Sequence, residues 1–159
     1  MTLRIAQFIN IPLLVLVAGV FWGTWFSLSR SIAGFTPEAF LAIGQRMIGN
    51  LAPVMPILMP VALLSTLPVL FLLFPQKRVF YAALAGFLLF VIATLITVVI
   101  EVPIDNQIKV WTVSSLPPDW TEIRDRWELF HTARTFASLI GLGLIVGAAL
   151  FSRSQRGSE

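Results

Sequence analysis

Apolar residues gather in four long runs, at roughly 8–28, 51–74, 80–100 and 136–151, with polar stretches between them. A membrane-spanning helix takes about 20 mostly apolar residues, so each run approaches one span; the fourth is short by itself. The pattern predicts an all-α integral membrane four-helix bundle, a single transmembrane domain over 1–159. Its helices are expected at about 8–30, 37–74, 79–101 and 119–152. A polar extramembrane loop should join the third helix to the fourth. The fourth helix is charged in its first half and apolar in its second. At 1.5 Å per residue it would be nearly 50 Å long, so its charged start should protrude from the bilayer.

Local signals sharpen these bounds. Thr36, Pro37 and Glu38 suit an N-cap, a first helical position and the positive end of a helix. A helix from there to 74 would exceed 50 Å, against a hydrocarbon core of about 30 Å. Pro53, Pro56 and Pro60 fall along it, where a kink or break is expected. Pro103 should stop the third helix in a "VPIDN" turn, and Asp119 with Glu122 has capping-box spacing. Gly19/Gly23, Ala82/Gly86 and Gly143/Gly147 repeat small residues every four positions, which lets helix backbones approach closely in lipid.

Composition supports lipid as the solvent. Hydrophobic residues make up 57% and charged residues 12%, where a soluble domain carries about 25% charged. The net charge of +3 comes from scattered residues, which excludes a nucleic-acid-binding patch. Without cysteine, disulfides, thiolate metal sites and thiol catalysis are excluded. The N-terminal apolar run is long and lacks an A-x-A-like site, so it reads as an uncleaved first span. With four spans the termini share a side. The short loop carrying Lys77 and Arg78 places that side, with Arg4, Arg153 and Arg156, in the cytoplasm of a plasma (inner) membrane.

The polar chemistry concentrates between 101 and 134, which holds the only histidine and three of the five tryptophans. At about 100° per residue, Arg124, Trp127, His131, Arg134 and Ser138 lie within roughly 40° of Trp120. This stripe enters the apolar half of the helix, where it must face protein or a water-filled cavity. Thr94, Thr97 and Glu101 share a face of the third helix, and Gln45, Arg46 and Asn50 lie on the second. Two readings stay open. In the first, a buried ion-pair network locks the loop onto the bundle, with Trp120 and Trp127 as interfacial anchors. In the second, His131 (free value about 6.5) exchanges a proton in a cavity shared with Glu101, Asn106 and Arg134, which is the ligand site. Arg134 or Arg46 against Glu101 would form a charge pair able to survive partial burial, and Arg134 is the expected partner. A haem iron or a metal ion on His131 is an alternative that the sequence does not require, since catalytic metal sites more often show two or three histidines.

The run "VPIDNQIKVW...PPDWTEIRDRWELFHTAR" resembles the signature of the anthrone oxygenase-like family of small four-helix membrane proteins. The matching positions are Pro103, Asn106, Trp111, Trp127, His131 and Arg134, while Asp105 stands where asparagine is common. The resemblance implies a membrane-embedded bundle. In fungal polyketide pathways, members are associated with oxidation of anthrones to anthraquinones by molecular oxygen. The expected catalytic residues are His131, Arg134 and Glu101; Arg46, Asn50, Asn106, Trp111, Trp127 and Arg124 are expected to bind substrate. The expected partners are the lipid bilayer and a small hydrophobic ligand, and a homo-oligomer stays open. The alternative function is non-catalytic binding of a lipid, a haem or a partner helix in the same cleft.

Overall fold

The computed structural model describes residues 2–152. Among these, four helices are long and apolar enough to cross a membrane: Leu3–Gly34, Met55–Leu73, Lys77–Ile108 and Trp120–Phe151. The described residues contain no strand. The chain is an all-α, multi-pass membrane protein. Arg153 and Arg156, used above for orientation, lie outside the described residues.

The first span begins as α1 (Leu3–Thr24) and continues through a wide π turn at Trp25–Ser29. Thr36 then caps α2 (Pro37–Leu51), its hydroxyl accepting from the Ala39 N–H at 3.3 Å. Helix α2 does not run on into the second span. The chain turns at 52–54 and restarts as α3 (Met55–Leu73). Pro53 and Pro56 cannot donate to the carbonyls of Gly49 and Ala52, so two rungs within one turn are missing and the expected single kinked helix breaks in two. Pro60 and Pro68 lie within α3. Released from the span, α2 packs its buried Phe40, Leu41 and Ile48 against Ile104, Ile108 and Trp127. It thereby clads one end of the bundle, here called the cap end. The long fourth helix extends into this cap and is covered there by α2.

The third span departs from expectation at Pro103. Helix α4 (Lys77–Ile96) passes through a π turn at Thr97–Glu101 into α5 (Val102–Ile108), so the helix does not stop. In the π turn the Val102 N–H bonds the Thr97 carbonyl, five residues back. The wider turn relieves the crowding that a proline imposes on the preceding turn. Pro103 then sits in the first turn of α5, where a missing N–H is tolerated. Gln45 closes the other end of α5, donating to the carbonyls of Ile108 and Trp111 at 2.9 and 2.8 Å.

Helix α6 (Trp120–Phe151) has no side-chain cap from Asp119. Asp119 holds φ −95° and ψ 15° rather than the extended conformation of an N-cap, so the Asp119–Glu122 capping box does not form. Backbone turns supply the first bonds instead, Trp120 N–H to Pro117 and Glu122 N–H to Asp119.

The most intimate helix pair is α4 with α6. A Cβ built on Gly86 would lie 2.6 Å from the Gly141 carbonyl, and one on Gly141 would lie 2.8 Å from the Gly86 carbonyl. This crossing therefore uses one glycine from each helix. Gly19, Gly23, Gly143 and Gly147 meet nothing within 4 Å, so those spaced pairs do not mediate packing within the chain. Toward the termini, buried Asn10 ties α1 to α3, donating to Ser65 Oγ and Thr66 Oγ1 at 2.9 and 2.8 Å. Gln7 reaches Ser152 at 3.3 Å, so the two ends of the described chain lie on the same side.

Candidate functional site

The expected inward stripe of α6 is observed. Arg124, Trp127, His131, Arg134, Thr135 and Ser138 are all buried, and the stripe continues through Gly141, Ile145 and Ala148. At its centre His131 is 1% exposed. Its Nε2 lies 3.2 Å from the Phe21 carbonyl, while Arg134 donates to Nδ1 through Nε at 3.2 Å and Nη2 at 2.8 Å. Arginine has no acceptor, so Nδ1 must offer its lone pair and Nε2 carries the hydrogen donated to Phe21. The imidazole is thereby fixed in one tautomer with both nitrogens engaged.

Arg134 is the hub. Its Nη2 lies 2.8 Å from Glu101 Oε2, its Nη1 donates to Thr97 Oγ1 at 2.9 Å, and its guanidinium covers the Phe21 ring at 4.5 Å. Glu101 is fully buried, and neither of its oxygens has an aligned hydrogen bond among the described residues, so Arg134 holds it as a close ion pair. The Glu101–Arg134 ion pair expected from the helix faces is present. His131 Nδ1 is 4.0 Å from the same carboxylate, too far for a hydrogen bond.

Trp127 joins this network to a second acid. Its ring stacks on His131, with centroids 4.9 Å apart and planes within 3°. Its Nε1 donates to Asp105 Oδ1 at 3.1 Å. An indole nitrogen can only donate, so this bond holds Asp105 with an acceptor toward Trp127.

Thr97, Asp105, Trp127, His131 and Arg134 form one end of a cavity of about 470 Å³. The remaining wall is largely apolar, including Met47, Met55 and Met59 around the α2–α3 break. Such a volume, apolar with a few convergent polar groups, is typical of small-molecule sites. Val98 and Val102 line it and are also 59% and 42% exposed, so it opens sideways between α3 and the α4–α5 helix. Asn106 and Lys109 stand at the rim, where Lys109 Nζ donates to Asn106 Oδ1 at 3.2 Å.

The other expected residues divide. His131, Arg134, Trp127 and Asn106 line the cavity. Glu101 does not; it supports Arg134 from behind. Arg46 and Asn50 are exposed and lie outside the cavity wall, because α2 turns its opposite face toward the bundle. Arg124 bonds Asp125 at 2.7–2.9 Å and covers the Trp120 ring, and half-buried Trp111 packs into the cap, so neither reaches the cavity. No three His, Cys, Asp or Glu side chains gather into a metal-binding group among the described residues. His131, held at both nitrogens, has no lone pair to offer a haem iron in this arrangement.

Sequence reasoning missed the cavity's methionines and undervalued Asp105. With Pro103 taken as a stop, Asp105 fell in a turn. Through a continuous helix it lies one turn beyond Glu101, which the spacing of four would have shown.

The fold and site define a four-span membrane protein with a small-molecule cavity at one end of its bundle. The family model for anthrone oxygenase matches residues 46–144, more than half of the chain, and the chain belongs to that family. No curated protein and no solved structure matches it.

Proposed function

We propose that the protein is a membrane-embedded oxidoreductase that oxidises a flat phenolic or quinone-like substrate with molecular oxygen. The observation that carries this reading is the cavity itself: about 470 Å³, apolar over most of its wall, polar at one end and open sideways. A planar tricyclic ligand partitions into lipid and can enter between α3 and α4–α5 without crossing water. Its ring oxygens then meet Arg134, and its body meets the Trp127–His131 stack. Family membership supports the same substrate class. His131 acts in this reading by orienting Arg134, and Glu101 by holding its charge, so both are positioning residues. No cofactor is required, because a carbanion stabilised by two aryl rings reacts with oxygen directly. The positive-inside rule, applied to Lys77 and Arg78 in their short turn, puts the termini in the cytoplasm of the plasma (inner) membrane and the cap end outside.

The test is oxygen uptake by purified protein given anthrone. One oxygen consumed per anthraquinone formed, above the rate in empty micelles, is the expected result. Saturable anthrone binding without uptake would make the protein a non-catalytic binder, and no saturable binding would overturn the reading altogether.

A further inference from the structure

We propose that Asp105 takes the proton from the substrate and that Trp127 positions it. The inference rests on the oxygenase reading above and assigns a base particular to this chain, since the family it resembles commonly has asparagine at position 105. Among the described residues of the cavity wall, the ionisable side chains are Asp105, His131, Lys109 and Arg134, and the Arg134 guanidinium has no acceptor. His131 is excluded by its bonds: Nδ1 is taken by Arg134 and Nε2 by the Phe21 carbonyl. Lys109 stands exposed at the rim, its Nζ engaged as a donor to Asn106 Oδ1 at 3.2 Å. Glu101 lies outside the wall, behind Arg134. Asp105 remains. A carboxylate has roughly four lone-pair sites, and the Trp127 bond at 3.1 Å uses one, on Oδ1. Asp105 is therefore oriented and still able to accept. Trp127 is fixed in turn by its stack on His131.

The step balances without a cofactor. The Asp105 carboxylate takes a proton from the methylene between two aryl rings, and the electron pair stays on carbon as an enolate. Molecular oxygen forms a bond to that carbon and is reduced to a peroxide, which recovers the proton from Asp105 as a hydroperoxide. Asp105 then takes the second proton from the same carbon. The O–O bond breaks, leaving the quinone carbonyl and a hydroxide that becomes water with that proton. Anthrone plus oxygen gives anthraquinone plus water.

Proton abstraction can be read separately from oxidation. Purified protein in detergent is given anthrone in deuterium oxide without oxygen, and deuterium entry at the methylene is followed against the buffer rate. The wild type is expected to accelerate exchange. Asp105→Asn keeps an oxygen for Trp127, and it is expected to lose about 10²–10⁴-fold of that acceleration while anthraquinone binding, read by tryptophan quenching, is kept. Asp105→Glu is expected to regain part of it. Exchange by Asp105→Asn at the wild-type rate would overturn the proposal. So would a wild type that binds anthrone without accelerating exchange, whether or not quinone then forms in air. If the wild type neither binds anthrone nor yields quinone, the oxygenase reading fails and this assignment falls with it.

Discussion

Replacing Arg134 with methionine is expected to lower the unfolding free energy by about 3–5 kcal/mol, the usual cost of removing one partner of a buried ion pair. Glu101 is 0% exposed and has no other cationic partner within 4 Å among the described residues except His131, at 4.0 Å. His131 does not replace the lost partner where it stands, because its Nδ1 lies 4.0 Å from the carboxylate, beyond hydrogen-bond reach. The substitution also strands Thr97 and His131, which lose their donor. The cost should belong mainly to the orphaned charge. Combining Arg134→Met with Glu101→Leu should therefore recover much of the loss, since an apolar pair of similar volume often matches a buried ion pair. Unfolding in mixed micelles by increasing denaturing detergent checks both variants. A double variant as unstable as Arg134→Met would show that the pair is not the source.

Trp127→Ala is the other substitution with a large expected effect, about 3–5 kcal/mol, as for other buried aromatics cut to alanine. The indole is 6% exposed and belongs to the cluster that fastens α2 and α5 to α6. Trp127→Phe separates its two roles. Phenylalanine can keep the stack on His131 and most of the packing, but it removes the donor to Asp105. A hydrogen bond to a charged group contributes about 1.5–3 kcal/mol, so Trp127→Phe should be the milder change. The same unfolding assay orders the two; a phenylalanine variant as damaged as the alanine one would contradict the packing account.

Much of this was legible in the sequence, because lipid imposes strong rules. Four apolar runs gave the four spans, and a polar stripe narrowing to one face of a membrane helix had to point inward. The stripe from Arg124 to Ser138 and its pairing with Glu101 followed from helical periodicity alone. Errors arose where the backbone departs from that periodicity. Pro103 was given its usual effect in a regular α-helix, whereas the π turn at Thr97–Glu101 accommodates it and carries α5 onward. That hid Asp105. Arg46 and Asn50 were linked because they stand one turn apart, but the apolar positions Phe40, Leu41 and Ile48 fix the buried face of α2 on the other side. The cavity was illegible for a different reason. It depends on where α3 restarts after the proline break, a property of the packed helices rather than of any one segment.

The central claim is that the cavity beside Trp127, His131 and Arg134 is the ligand site, and filling it tests this most directly. Thr94 lines the cavity on α4, and among the described residues its hydroxyl donates only to the Phe90 carbonyl of its own helix, at 2.9 Å. Thr94→Trp should leave the bundle intact while its indole occupies much of the space. The measurement is equilibrium binding of radiolabelled anthraquinone to wild type and Thr94→Trp in the same detergent. At least about a tenfold weakening, or 1.4 kcal/mol, in a variant of unchanged unfolding midpoint is the predicted result. Equal affinity in the two proteins would place the ligand elsewhere and contradict the account.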